Sequence, residues 1–225
     1  VFEKEGLSIP YPQMDVHVHK QQYMSVTLSI IIVTGLVTYR AFQDDLLKEK
    51  LIFYPFAIAE RKEYHRFLTH GFIHGDLMHV FFNLYVLYGF GEAVERSFQV
   101  YFGAIGTLLY LLLYLGGIVA SSLITYAQHK ENATYRALGA SGAVSAVMFS
   151  FILMYPQIDL QLLFIPIPIK GYVMGTLYLM YSHYMAKKQM DNIGHDAHFY
   201  GAIFGILITL AFRPDFLGEF IENVF

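Results

Sequence analysis

Leu138-Gly139-Ala140-Ser141-Gly142 opens an apolar run that continues through Val144, Val147, Met148, Phe149, Phe151, Ile152 and Leu153 and stops at Pro156. The run predicts a membrane-buried helix over 140–155, with a serine hydroxyl at its entrance. Helix entrances leave backbone N–H groups without partners, and the aligned peptide dipoles add partial positive charge there. An anion forming beside Ser141 therefore meets waiting donors. A nucleophilic serine also needs a base to take its proton and donors aimed at the oxyanion. Glycines around a serine serve close helix packing equally well.

The chain has 225 residues, 56% of them apolar and 15% charged, with net charge −3 and no cysteine. That composition lies outside the soluble average, and a mean hydropathy of +0.44 indicates a membrane protein. No basic block marks a nucleic-acid partner. Without cysteine, disulfides, thiolate metal sites and a cysteine nucleophile are excluded. No secretory signal is expected, because the first apolar run begins only near Ser25 and lacks a basic leader.

Six apolar segments follow in order. Residues 1–24 read as a polar tail with His17 and His19 solvated, and 24–42 as helix one. Residues 43–75 mix charge with Leu46, Leu47, Leu51, Ile52, Phe53 and Phe56, the pattern of an irregular, packed segment lying in the membrane interface. Helix two is expected over 77–90, ended by Glu92, Glu95 and Arg96, and helix three over 100–126 with Gly103, Gly106, Gly116 and Gly117 as packing sites. Helix four, 140–155, is about four residues short of a full span, which would set its serine end below the membrane surface. Helix five covers 171–185 after Pro166 and Pro168, helix six covers 197–212, and 214–225 is a C-terminal tail.

If the spans alternate in direction, helices two, four and six run the same way and their first turns share one membrane face. His79, Ser141 and His198 all fall in those turns. Asn83 shares a helix face with His79, and His198 shares one with Gly201 and Gly205, small residues that let helix six approach helix four. Histidine near its ordinary pKa can take a serine proton and return it to a leaving amine. His79, the Asn83 amide and the Ser141 backbone N–H would supply oxyanion donors.

Gly-Ala-Ser-Gly at 139–142, His74-x-x-x-x-His79-x-x-x-Asn83 and Ala197-His198-x-x-Gly201 together resemble the signature of rhomboid intramembrane serine proteases. The resemblance runs from helix one to helix six. It implies an all-α membrane protein, a six-transmembrane-helix rhomboid-type bundle over 25–213. By the same resemblance Ser141 is nucleophile, His198 general base and acid, and His79 with Asn83 the oxyanion hole. Cleavage would fall in or near a transmembrane helix of a membrane-protein substrate, with membrane lipids as surroundings, no nucleic acid and no cofactor. The expected setting is a multi-pass protein of the cell (plasma) membrane. Three features depart from the family pattern. Ser145 stands where relatives often carry an aromatic residue that packs on the catalytic histidine, and His65-Arg66 stands where they often have Trp-Arg. Lys and Arg also favour the loops that family topology places outside, opposite to the positive-inside rule.

Other readings carry less. His74 suits bracing of the first loop, and Asp196 is a poor triad member because residues two apart on a helix do not face each other. His70, His74, His79, His195 and His198 contain no His-Glu-x-x-His, so no metal is expected. The alternative from another class is a non-catalytic rhomboid-like membrane protein that binds transmembrane helices.

Overall fold

The computed structural model describes residues 24–162, 165–188 and 194–225, so the tail histidines His17 and His19 lie outside the described residues. The chain forms α1 (Val26–Gln43), short α2 (Asp45–Leu51), α3 (Pro55–Arg61) and α4 (Arg66–Thr69), then α5 (Leu77–Phe102) and α6 (Gly106–His129). It continues with α7 (Ser141–Met154), a β1–β2 hairpin (Asp159–Leu162, Ile165–Lys170), α8 (Gly171–Lys188), α9 (His195–Phe212) and α10 (Asp215–Val224).

The centre of the bundle is α7. Of its fourteen residues, eleven are buried, so it is apolar all round because neighbours cover it all round. Helices α5, α6, α8 and α9 pack against it. The shared core joins Leu87, Val94, Phe98, Tyr110, Leu113, Tyr114 and Ile118 to Ala143, Ala146 and Val147. Outward, large apolar side chains stay exposed: Ile32, Val33 and Leu36 on α1, Phe81, Tyr85 and Tyr88 on α5, Leu108 and Leu112 on α6, Leu177 and Met180 on α8. A soluble protein rarely exposes apolar surface on this scale. Val26–Gln43, the α5–α6 stretch Leu77–His129 and His195–Phe212 are long and apolar enough to cross a bilayer, and Ser141–Met154 is apolar but shorter. The protein is an integral membrane helical bundle.

The largest departures from the expected helix boundaries lie between the second and third helices; elsewhere helix three runs on to His129, helix five to Lys188, and helix six begins at His195. Glu92, Glu95 and Arg96 do not end the second helix, which runs on to Phe102. Glu95 is buried because its carboxylate turns inward and accepts from Val26 N (2.9 Å), Thr27 N (2.8 Å) and Thr27 Oγ1 (2.8 Å), capping the start of α1. Glu92 accepts from Ser25 Oγ at the same place. Charge here serves a neighbouring helix entrance rather than a chain end. The break falls at Gly103, whose φ of +58° suits glycine, so residues 100–102 belong to α5 and the third helix starts at Gly106.

The connector carrying Pro166 and Pro168 forms an antiparallel hairpin, with Asp159 opposite Lys170 and Leu160 opposite Ile169, and a 2.9 Å Lys170–Asp159 ion pair. Two strands have two edges, which is where prolines are tolerated. The C-terminal stretch expected as a tail also folds: α10 buries Phe216, whose ring meets Tyr101 at 5.0 Å. Arg213 sits 4.7 Å from both ring centroids and donates to Glu219 at 2.5 Å.

Candidate active site

Helices α7 and α9 lie parallel and touch through their backbones. A Cβ added at Gly201 would stand 2.1 Å from Gly142 O, and one at Gly205 2.2 Å from Ala146 O. Farther along, Thr209 Oγ1 donates to Ser150 Oγ at 2.8 Å. These three contacts pair residues 142 with 201, 146 with 205 and 150 with 209, a constant offset. The register places the α7 entrance, where Ser141 is the first helical residue, within a turn of His198 in depth. His198 lies three residues before Gly201, on the face that meets α7. The small residues at the crossing permit this approach, as the sequence pattern anticipates.

Helix α6 completes the wall. A Cβ at Gly142 would lie 2.1 Å from Ser121 Oγ, and one at Gly117 3.0 Å from Ala143 Cα. Ser141 and His198 are half-buried at the open end of this packing.

His79 enters from α5. Asp76 caps that helix, its Oδ1 accepting from His79 N at 2.8 Å. The imidazole lies against Gly139, where a Cβ would stand 2.8 Å from both Cε1 and Nε2, and where φ is +120°. Glycine is required at 139 on both counts, by conformation and by space. His79 is thereby held two residues ahead of Ser141. Asn83, one turn deeper and 8% exposed, donates from Nδ2 to His79 O at 2.9 Å. The structure thus brings His79 to the strap before Ser141, and ties Asn83 to His79 rather than directly to the α7 entrance.

The strap itself is braced by the first loop. Phe53 and Ala137 exchange backbone hydrogen bonds of 2.9 and 3.1 Å, and Gly139 N donates to His70 O at 3.0 Å. Ala140 N donates to His74 Nε2 at 3.3 Å, and His74 Nδ1 lies 3.1 Å from Thr38 Oγ1. An accepting Nε2 requires the neutral tautomer with its proton on Nδ1, and Thr38 Oγ1 in turn donates to Phe72 O. Burial pushes the His74 pKa down to about 3 and that of His70 to about 4. His74 is a brace for the backbone under Ser141. Arg66, buried, does similar work in the loop by donating to Glu63, Glu49 O and Ile52 O, which holds the Glu63 carboxyl below its usual range.

His198 has aromatic company. Its ring stacks on Tyr178 of α8 (6.2 Å between centroids, 24° between planes) and meets His195 edge-on at 5.8 Å. Sequence reasoning missed Tyr178, one of eighteen tyrosines with no motif around it. Asp196 has the imidazoles of His129, His195 and His183 as neighbours. Among the described residues no three His, Asp or Glu side chains converge as a metal site requires.

The Rhomboid domain family matches residues 61–215, more than half of the chain. RHOMBOID-like protein 12, mitochondrial, of Arabidopsis thaliana is 29% identical over 153 residues, which cover 61% of this chain and 43% of that protein. The chain thus spans less than half the length of that relative. Rhomboid protease GlpG of Haemophilus influenzae is 27% identical over 186 residues, covering 81% of this chain and 86% of the relative.

Proposed function

This chain belongs to the rhomboid family, and from that premise we propose that it is an intramembrane serine endopeptidase with Ser141 as nucleophile and His198 as general base and acid. The observation that carries the reading is the backbone approach of Gly142 to Gly201, which matches the entrance of α7 in depth to the first turn of α9.

In this mechanism His198 takes the Ser141 Oγ proton as Oγ bonds to the scissile carbonyl carbon. Negative charge gathers on the carbonyl oxygen. The Ser141 backbone N–H at the helix entrance, the His79 imidazole and the Asn83 amide are its proposed donors, with the helix dipole favouring the same sign. The C–N bond then breaks, His198 gives the proton to the departing amine, and an acyl-Ser141 remains. Water, deprotonated by His198, attacks the ester and regenerates the hydroxyl. Neutral His74 fixes the backbone on which the nucleophile stands.

The family and the lipid-facing surface support the proposed substrate class, a membrane protein cut in or near a transmembrane helix. With 14 residues, α7 reaches about 21 Å, against a hydrocarbon core of about 30 Å. A short central helix suits a reaction centre set below the membrane surface. The proposed setting is the plasma membrane; fractionation against a mitochondrial marker tests the location.

The test of function is cleavage of a transmembrane model substrate by purified protein. Wild type should cut, and Ser141→Ala and His198→Ala should each lose cleavage while keeping the wild-type melting temperature. A well-folded wild type that cuts none of several helix-breaking substrates would favour the helix-binding alternative.

A further inference from the structure

Ser145 is 3% exposed and lies one turn beyond Ser141 on α7. Its Oγ is 3.0 Å from the Tyr178 hydroxyl of α8. The Tyr178 ring meets Phe149, one further turn along α7, at 5.8 Å, and lies nearly parallel to His198 at 6.2 Å. One phenol is therefore held at three points: its hydroxyl on α7, its flank on α7, and a face on the imidazole of α9. A centroid separation of this size with a small interplanar angle is an offset stack, within the range in which aromatic pairs attract.

We infer that Tyr178 is the positioning residue of His198, anchored by the Ser145 hydroxyl, so that the catalytic histidine is oriented from α8. The inference rests on the dyad reading above. A serine at 145 has no ring to lay against His198, but its size leaves room for Tyr178 and its hydroxyl gives that ring a fixed end. A phenol pinned at both ends limits imidazole rotation. Without it the ring loses its near-attack orientation, and a misplacement of about 1 Å costs on the order of a hundredfold in rate. The arrangement also joins the base to α8, because any shift of that helix against α7 draws on the Ser145 contact.

The experiment compares Tyr178→Ala, Tyr178→Phe, Ser145→Ala and the exchange Ser145→Tyr/Tyr178→Ala. Each is read by cleavage kinetics and by the rate at which a fluorophosphonate labels Ser141, which reports the dyad without substrate docking. Tyr178→Ala should lower kcat and the labelling rate together, by about ten- to a hundredfold, with KM within about twofold. Tyr178→Phe keeps the stack and loses only the anchor, so it should recover most of the rate. Ser145→Ala should match Tyr178→Phe, and combining the two should cost no more than either alone, because both remove one hydrogen bond. The exchange variant, which returns a ring to α7, should label faster than Tyr178→Ala.

Tyr178→Leu keeps apolar volume without a ring and replaces Tyr178→Ala if that variant melts early. Unchanged kcat and labelling in Tyr178→Ala or Tyr178→Leu overturns the inference, as does a loss confined to KM. Wild-type protein that is not labelled at Ser141 sinks the dyad reading itself, and this inference with it. Labelled wild type with equally labelled Tyr178→Ala sinks only the role of Tyr178.

Discussion

Gly201→Ala tests the helix approach that sets Ser141 and His198 at one depth. The added Cβ would lie 2.1 Å from Gly142 O, 2.8 Å from Gly142 C and 2.9 Å from Gly142 Cα. All three are backbone atoms, so no side chain can rotate away. Ordinary contact is reached only if α9 retreats from α7 by about 1 Å or more. Overpacking of this kind costs about 1–3 kcal/mol, which a bundle with this core survives. Catalysis is less tolerant, since a displacement of about 1 Å in a reacting pair lowers the rate on the order of a hundredfold. The assay is kcat/KM for a transmembrane substrate beside a detergent melting curve, with Gly218→Ala, where an added Cβ meets nothing within 4 Å, as control. Gly201→Ala should remain folded with its turnover reduced about a hundredfold, and Gly218→Ala should match wild type. A folded Gly201→Ala with wild-type turnover would refute the argument that this crossing positions the dyad.

The other expectations concern donors, braces and caps. Asn83→Ala and His79→Ala should each lower kcat by about 10²–10³ with little change in KM, as loss of one oxyanion donor does; an effect on KM alone would assign them to substrate binding. His70 and His74 are buried and neutral, with pKa values lowered to about 4 and about 3, whereas in the unfolded chain they take up protons below about 6.5. The unfolded state thus binds more protons, so stability falls as pH drops, by roughly 2 kcal/mol per histidine from pH 6.5 to 5. His74→Asn should flatten that slope in melting curves, and parallel slopes would contradict the assignment. Glu95→Ala leaves Val26 N and Thr27 N without the carboxylate that accepts them, and should cost about 3 kcal/mol while leaving cleavage at permissive temperature unchanged.

The parts of the site legible in the sequence were those where residue type alone carries the physics. Gly201 and Gly205 announce a close crossing because no other residue permits it, and the α7 run announces a buried helix because it has no polar face. The helix ends at residues 92–103 were not legible. Glu95 reads as a chain-end charge until its partners on α1, nearly seventy residues earlier, are seen, and Gly103 ends a helix by conformation rather than by polarity. The α10 dock rests on Tyr101, Arg213 and Phe216 meeting across more than a hundred residues. Ser145 registers in the sequence only as a missing aromatic. That Tyr178 occupies its place is a tertiary fact, because nothing within α8 distinguishes that tyrosine from Tyr181 or Tyr184.

Labelling of the membrane-embedded protein with a fluorophosphonate, followed by mapping of the modified peptide, reads the pairing of Ser141 with His198 without any choice of substrate. One adduct is expected, on Ser141, formed by wild type and lost in His198→Ala. An adduct on another serine, or equal labelling of Ser141 without His198, would contradict that pairing.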